Sequence, residues 1–337
     1  MAASLDLFEP LTPAEVDLVL QLKEAMASTV EEGGVSHTPW HGAHPPCNDL
    51  PSRRGRRQWS LPKATKMLQA TLQWRLETQP HAITWAQVEV EAGSGKNFVS
   101  PHPDRDGRPV VTMRPRNQNT GDEKAQVQFL TYCLEHASRL ADAQRVGKMT
   151  WLIDFVGYSM RNAPSVRTSV EVLHVLQNHY PERLGCAVCY CAPSLFSLTW
   201  RAVSPFIDPV TKKKVAFVEK AKAGPNPSKA AATPASDAAD ADVIVDGGGD
   251  GAAVGGLEAR FRLEHIEECM GGCLKGSLFD LAKYRARMMA EDAQVAAAIA
   301  AISMGKSGGG GGAVLGVESL SSSMSELSTG PAGALAN

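Results

Sequence analysis

The strongest constraint on the fold is an alternation of short apolar runs with segments of helical periodicity after residue 109. Four apolar runs of strand length are separated by three segments whose apolar residues recur at helical spacing. Strands that alternate with helices predict an α/β fold, in which a mostly parallel sheet carries helices joined by right-handed crossovers. The predicted strands are 109–113, 149–155, 186–192 and 215–218, and the predicted helices start at Asp122 or Thr120, at Pro164 and at Phe196.

Two further helices are predicted before this region. Thr12, Pro13 and Glu15 form a capping box, which predicts a helix to about Met26. A second helix begins near Ser60 and is closed by Pro80, and its apolar face also carries Arg75. The sequence therefore predicts a small helical region ahead of the α/β core.

Two segments are too poor in large apolar residues to fold. Residues 221–256 consist largely of Ala, Gly, Asp and Pro, and the tail begins with a run of glycines. Such segments cannot bury enough surface to offset their ordering entropy, so both are predicted to be disordered. The predicted divisions are an N-terminal helix and flexible segment (1–48), a helical region (49–95), the core (96–220), the insertion (221–256), the end of the domain with its helix (257–304) and the tail (305–337).

Charge is distributed unevenly along the chain. The 337 residues carry a net charge of −2, yet residues 53–220 hold 24 basic and 14 acidic side chains, a balance of +10, and the remainder carries −12. The near-neutral total argues against a nucleic-acid binder, whereas the basic middle suits an anionic membrane surface. Because the chain has seven cysteines, no secretory signal and no run of 18 apolar residues, it is predicted to be cytoplasmic with reduced thiols.

Several motifs that could carry catalysis or metal binding are incomplete. The sequence GSGK at 93–96 lacks the first Gly and the final Ser or Thr of a phosphate-binding loop, so a surface turn is the favoured interpretation. His37, His41, His44 and Cys47 have no spacing typical of zinc. Cys186, Cys189 and Cys191 are interpreted as small apolar residues of a buried strand. No nucleophile–base pattern is present, and the prediction is a non-enzymatic protein without cofactor or metal.

Three motifs together are more specific. They are DRDGRPV at 104–110, YPERLG at 180–185 and PFIDPVTKKK at 205–214. In this order they resemble the CRAL-TRIO lipid-binding domain, most closely its phosphatidylinositol/phosphatidylcholine transfer protein branch. The resemblance extends to the strand that ends in Asp154, to Met270-Gly271-Gly272 and to Phe279-Asp280, and spans about 58–220 and 257–285.

This resemblance implies an apolar lipid cavity with a sheet floor, covered by a gate helix. The residues that it implies for the inositol-phosphate headgroup are Glu182, Thr211 and Lys214, together with Arg57, which matches the last Arg of a family stretch otherwise replaced at 51–57. Met149 and Trp151 stand where members carry a Ser/Thr pair for a choline lipid, so the resemblance favours an inositol lipid. The implied gate residues are Phe196, Leu198, Trp200, Val203 and Phe206.

The resemblance leaves three functions open. The first is a monomeric carrier that holds a phospholipid, such as phosphatidylinositol, and exchanges it between membranes by peripheral contact. The second is a carrier of another hydrophobic ligand, such as a tocopherol-, retinoid- or sterol-like molecule. The third is a lipid-regulated scaffold whose protein partners the sequence does not reveal.

Overall fold

The computed structural model of the protein describes residues 61–193, 196–207, 209–219 and 256–307, together with Gln21. Apart from Gln21, which is helical, the predicted helix after Thr12 lies outside the described residues. The same is true of the four candidate metal ligands between His37 and Cys47 and of Arg57. It is also true of 221–255 and 308–337, which hold almost all of the predicted insertion and most of the predicted tail. The predicted domain divisions stay predictions.

A five-stranded sheet with the order β1-β2-β3-β4-β5 forms the centre of the fold. Strands β2 to β5 are parallel, and β1 joins the edge antiparallel to β2. This arrangement confirms the α/β prediction, because each later strand lies beside the strand before it and a helix makes each crossover. The strands are β1 Asn97–Val99, β2 Val110–Met113, β3 Met149–Asp154, β4 Leu184–Tyr190 and β5 Val215–Val218.

The helices begin where the sequence provides caps. The side chain of Asp122, rather than Thr120, caps α3 by accepting from the backbone N–H of Ala125 at 3.1 Å. Ser165 caps α4 in the same way, accepting from Thr168 at 3.0 Å. The helices are α1 Leu61–Thr78, α2 Trp85–Ala92, α3 Glu123–Ala143, α4 Val166–His179, α5 Phe196–Val203, α6 Pro209–Lys212 and α7 Leu281–Ser307, and the 3₁₀ turn Ser204–Phe206 continues α5.

Helix α2 and strand β1 were not predicted, and they correct the interpretation of residues 93–96. Thr84 and Gln87 form a capping box that opens α2. The turn that follows α2 is not at the surface, because Phe279 packs against Gly95 and the ammonium of Lys96 is buried against the Glu91 carboxylate. Gly95 has φ +66°, a conformation that favours glycine. The residues therefore form an internal turn between α2 and β1.

The two faces of the sheet have different coverings. Along β3, Trp151 and Ile153 point to the side of the crossover helices, whereas Leu152 points to the back. The back is covered by the irregular segment 257–270, whose apolar side chains form a second core with the sheet. Its buried members include Leu257, Phe261, Ile266 and Met270. The cysteine prediction holds for Cys186, which is buried in this back core, and for Cys189, which is buried on the helix side. It is wrong for Cys191, which follows the end of β4, is half-buried and has φ +52°.

Helix α7 packs at the β1 edge of the molecule. The Tyr284 ring makes edge contacts with Trp85 and Phe98, and Met288 is fully buried in the same core. Asp292 accepts from the backbone N–H of Trp85 at 2.6 Å and from the hydroxyl of Tyr132. The α7 helix is thus fixed at the edge of the sheet that is opposite to β5.

Candidate functional site

A cavity of about 960 Å³ lies between the sheet and the crossover helices. Its floor consists of side chains from β2 to β5, and its walls include apolar side chains from α3, α4 and α5. This volume falls in the range of pockets that enclose small organic ligands, and the lining favours a hydrophobic one. The floor residues include Met113, Trp151, Ile153, Cys189 and Val215, and the walls include Leu130, Leu134, Val172 and Leu176.

Helix α5, the predicted gate, covers one side of this cavity. The rings of Phe196 and Phe155 are 4.4 Å apart, and Trp200 makes an edge contact with Phe217 at 5.9 Å. Phe196, Trp200 and Val203 line the cavity. Phe206, the last of the predicted gate residues, lies on the 3₁₀ turn with an exposed side chain, and its place in the gate stays a prediction. Leu198 lies within α5, and its side chain is outside the described residues.

Three of the four predicted headgroup residues line the same cavity. The ammonium of Lys214 donates to the Glu182 carboxylate at 3.1 Å, and both side chains are partly exposed, at 17% and 24%. The backbone N–H of Lys214 donates to the carbonyl of Thr211 at 3.0 Å, which ties α6 to the start of β5. Since β4 and β5 are neighbours, residues 29 to 32 positions apart are brought together at the amino end of the two strands.

The backbone holds Glu182 in an unusual conformation. Its φ is +55°, in the left-handed region that non-glycine residues rarely adopt. Such a conformation persists only where the surrounding structure imposes it, and it occurs often at ligand sites. Pro181 precedes Glu182, and Arg183 follows it with a bidentate ion pair to Asp142, including a 3.0 Å hydrogen bond. The turn therefore fixes the direction of the Glu182 side chain.

Two of the motifs that carry the resemblance pack against each other next to this turn. The end of the Arg108 side chain, from Cδ to the guanidinium, lies over Gly185. A Cβ atom on Gly185 would come within 2.9 Å of the Arg108 Cδ. Arg108 pairs with Asp106 at 2.8 Å, and Asp104 accepts from the hydroxyl of Thr150 at 2.6 Å. Burial raises the pKa of Asp104, although its hydrogen bonds act in the opposite direction. These residues join the loop before β2 to β3 and β4 and support the turn at Glu182.

Gly185→Ala is expected to destabilise the protein by about 1 kcal/mol, because the new methyl group displaces the flexible end of the Arg108 side chain from its partly exposed ion pairs. Urea denaturation followed by tryptophan fluorescence measures the loss. Gly121→Ala is the matched control, since no atom lies within 4 Å of the position that a Cβ would take there. Equal stability of the two variants would contradict the assigned role of Arg108.

Sequence reasoning missed a buried polar network on the other side of the Glu182 turn. The Arg75 guanidinium donates two hydrogen bonds to the Glu135 carboxylate, at 2.9 and 3.0 Å, and the Tyr180 hydroxyl donates a third at 2.6 Å. Burial alone would raise the pKa of Glu135, but Arg75 lowers it to about 2. The sequence did contain one signal of this network, since Arg75 is a charged residue on the apolar face of α1. The network links α1 and α3 to the residue that precedes Pro181.

Two other kinds of site find no support in the described parts of the chain. No group of three or more His, Cys, Asp or Glu side chains there is placed to hold a metal ion. Among the helices of the same residues, none combines the length and hydropathy that a bilayer span requires.

The comparison with protein families identifies the domain. Residues 93–225 match the CRAL/TRIO domain model. This segment is therefore similar to the CRAL/TRIO domain, the family that the three motifs predicted.

Individual proteins are similar over parts of their length. A CRAL-TRIO domain-containing protein of Schizosaccharomyces pombe is 35% identical to this chain over 48% of this chain's residues. The phosphatidylinositol transfer protein PDR17 of Saccharomyces cerevisiae is 34% identical, also over 48% of this chain. The protein real-time of Anopheles gambiae is 30% identical over 61% of this chain. The matches cover 16%, 49% and 31% of these three relatives, so the chain spans less than half of each.

The crystal structure of Sfh5 has a similar fold. It superposes with a TM-score of 0.50 over 62% of this chain and 82% of that chain, at 18% sequence identity. At this identity the similarity supports the α/β architecture and no statement about a ligand.

Proposed function

We propose that the protein holds a phospholipid, in the first place phosphatidylinositol, in its cavity and exchanges it between membranes without making or breaking a bond. The observation that carries this proposal is the convergence of Glu182, Thr211 and Lys214 at one end of an apolar cavity. Relatives named as phosphatidylinositol transfer proteins support it. In this proposal the protein is a cytosolic monomer that associates peripherally with membranes.

The chemistry of the three side chains suits an inositol phosphodiester. Lys214 can form a charge-assisted hydrogen bond with the phosphate, and the Thr211 hydroxyl can donate another. Glu182 can accept from inositol hydroxyls. Glu182 already pairs with Lys214, so a bound phosphate would compete with the Glu182 carboxylate for the Lys214 ammonium. As a partly exposed pair, Lys214 and Glu182 by themselves add less than about 1 kcal/mol to stability.

The test is the double variant Thr211→Asp with Lys214→Ala, assayed for transfer of phosphatidylinositol between liposomes. It removes the cation and adds a negative charge beside the phosphate, and we expect transfer to fall at least a hundredfold, about 3 kcal/mol of lost charge-assisted bonding. The matched control is the pair Lys212→Ala with Lys213→Ala, which removes two exposed charges from the same turn.

Unchanged transfer by the Thr211/Lys214 variant would overturn the headgroup site. An equal loss in the control would also overturn it, because general basicity of the turn would then explain the effect. Urea denaturation of both variants should give midpoints near that of the unaltered protein, since neither substitution touches the buried core.

One property of the cavity floor supports a different hydrophobic ligand in place of a phospholipid. Met149 and Trp151 both line the cavity and neither provides a hydroxyl, so the interior around them suits a sterol-, retinoid- or tocopherol-like molecule as well as acyl chains. Native mass spectrometry of the purified protein separates the two functions. A co-purified inositol phospholipid supports the first, and a lipid without phosphate supports the second.

A further inference from the structure

The loop between β3 and α4 is unusually well braced for a surface connection. The backbone N–H of Tyr158 donates to the carbonyl of Phe155 at 2.9 Å, and the Asn162 amide accepts from Ser159 at 2.8 Å and donates to Gly157 at 3.1 Å. Arg116 donates to the carbonyl of Val156 at 3.1 Å. These bonds fix the loop from within.

This rigid loop presents apolar side chains to solvent. Val156 is 43% exposed and Met160, near its tip, is 59% exposed. Residues 155–170 contain Arg161 and Arg167 and no acidic side chain, and both arginines are exposed. Arg167 lies near the Glu123 carboxylate, so Arg161 provides the charge of this surface. An ordered surface that combines exposed apolar groups with positive charge complements an anionic lipid surface.

The loop is continuous with the cover of the cavity. Phe155 and Tyr158, which flank Val156, contact the Phe196 ring of α5 at 4.4 and 6.1 Å. Phe196 in turn lies 6.5 Å from Phe217, which is 40% exposed on β5. A bilayer that touched the loop would therefore also meet the side of the molecule on which α5 closes the cavity.

We propose that residues 156–161 form a membrane-docking loop, in which Val156 and Met160 enter the interface of an anionic bilayer and Arg161 contacts its headgroups. The proposal rests on the proposed function, because it names the surface through which the cavity meets its lipid source. A bilayer is favoured over an acidic protein because the loop adjoins the cover of an apolar cavity whose proposed ligand resides in membranes.

The experiment measures co-sedimentation of the full chain with vesicles of phosphatidylcholine, with and without phosphatidylserine. Val156→Asp with Met160→Asp should weaken binding to both vesicle types at least tenfold, because two exposed apolar groups no longer insert. Arg161→Gln should weaken binding about fivefold, only with phosphatidylserine and only at low salt. Met289→Asp is the control, since Met289 is 49% exposed on α7 at the opposite edge of the sheet.

Binding that is unchanged in the Val156/Met160 variant, or equally weakened by Met289→Asp, would overturn the docking loop. Retention of co-purified lipid, measured by native mass spectrometry on the same variants, keeps the two proposals apart. Loss of vesicle binding with lipid still bound supports the loop alone. Normal vesicle binding by a protein that never carries lipid would refute the proposed function and leave the loop standing.

Discussion

Arg75→Met is expected to destabilise the protein by about 3–5 kcal/mol, because it leaves the Glu135 carboxylate buried without its cation. The Arg75 side chain is itself buried, with 2% of the residue exposed, so water cannot replace it. Urea denaturation followed by tryptophan fluorescence measures the loss. Since Tyr180 belongs to the same network and precedes Pro181 and Glu182, we also expect weaker lipid retention by the variant.

An exposed ion pair provides the control. Arg285 and Glu89 are 3.2 Å apart, with both side chains about half exposed, and Arg285→Met should cost less than about 1 kcal/mol. Replacing both buried partners, Arg75→Met with Glu135→Leu, should recover part of the loss, because no uncompensated charge remains. A cost below about 1 kcal/mol for Arg75→Met alone would contradict the assigned role of the pair.

The pH dependence of stability has a definite sign. The folded-state pKa of Glu135 is about 2, below its ordinary value of 4.5, so its contribution is complete above about pH 4.5 and is lost as the pH falls toward 2. In Arg75→Met, burial without the cation should raise the pKa of Glu135, which reverses the dependence. The difference in unfolding free energy between the two proteins should therefore shrink on acidification. A difference in unfolding free energy that stays constant from pH 7 to pH 2 would contradict this prediction.

Much of the fold was accessible from the sequence because its elements carry strong periodic patterns. β5 lies where predicted, α1 and β3 begin and end within a few residues of their predicted limits, and α3 and α4 begin within a few residues of their predicted starts. Strand β1 is only three residues long, and α2 has only eight, so its buried Trp85, Val88 and Ala92 repeat over just two turns and give a weak periodic signal. Glu91 is buried because Lys96 pairs with it, and periodicity cannot reveal such tertiary compensation.

The candidate site was accessible in a different way. Glu182, Thr211 and Lys214 came from the resemblance alone, since without it a helix-end ion pair and a solvated turn were the simpler interpretations. Their convergence depends on β4 and β5 being neighbours, which is a property of the topology. The Arg75–Glu135–Tyr180 network needed the structure, because three residues far apart in sequence meet only after α1 packs on α4 and the Arg75 side chain reaches α3.

Ala187→Trp is expected to abolish lipid retention while the protein stays folded. Ala187 lies in the floor of the cavity, paired across the sheet with Trp151 on β3 and with Val215 on β5. An indole at this position grows into the cavity rather than into a packed core, so it occupies volume that acyl chains need. We expect the amount of co-purified lipid to fall at least tenfold, which corresponds to an overpacking cost of about 1–3 kcal/mol in the complex.

The control places the same side chain where it cannot reach the cavity. Ala293 is exposed on α7 at the β1 edge of the sheet, and Ala293→Trp should leave lipid retention unchanged. Circular dichroism and urea denaturation should show both variants folded, because neither position is in the back core. Normal lipid loading by a folded Ala187→Trp protein would place the ligand elsewhere and would remove the cavity from the proposed function. Loss of lipid with a native unfolding profile would instead tie the ligand to the floor between β3 and β5.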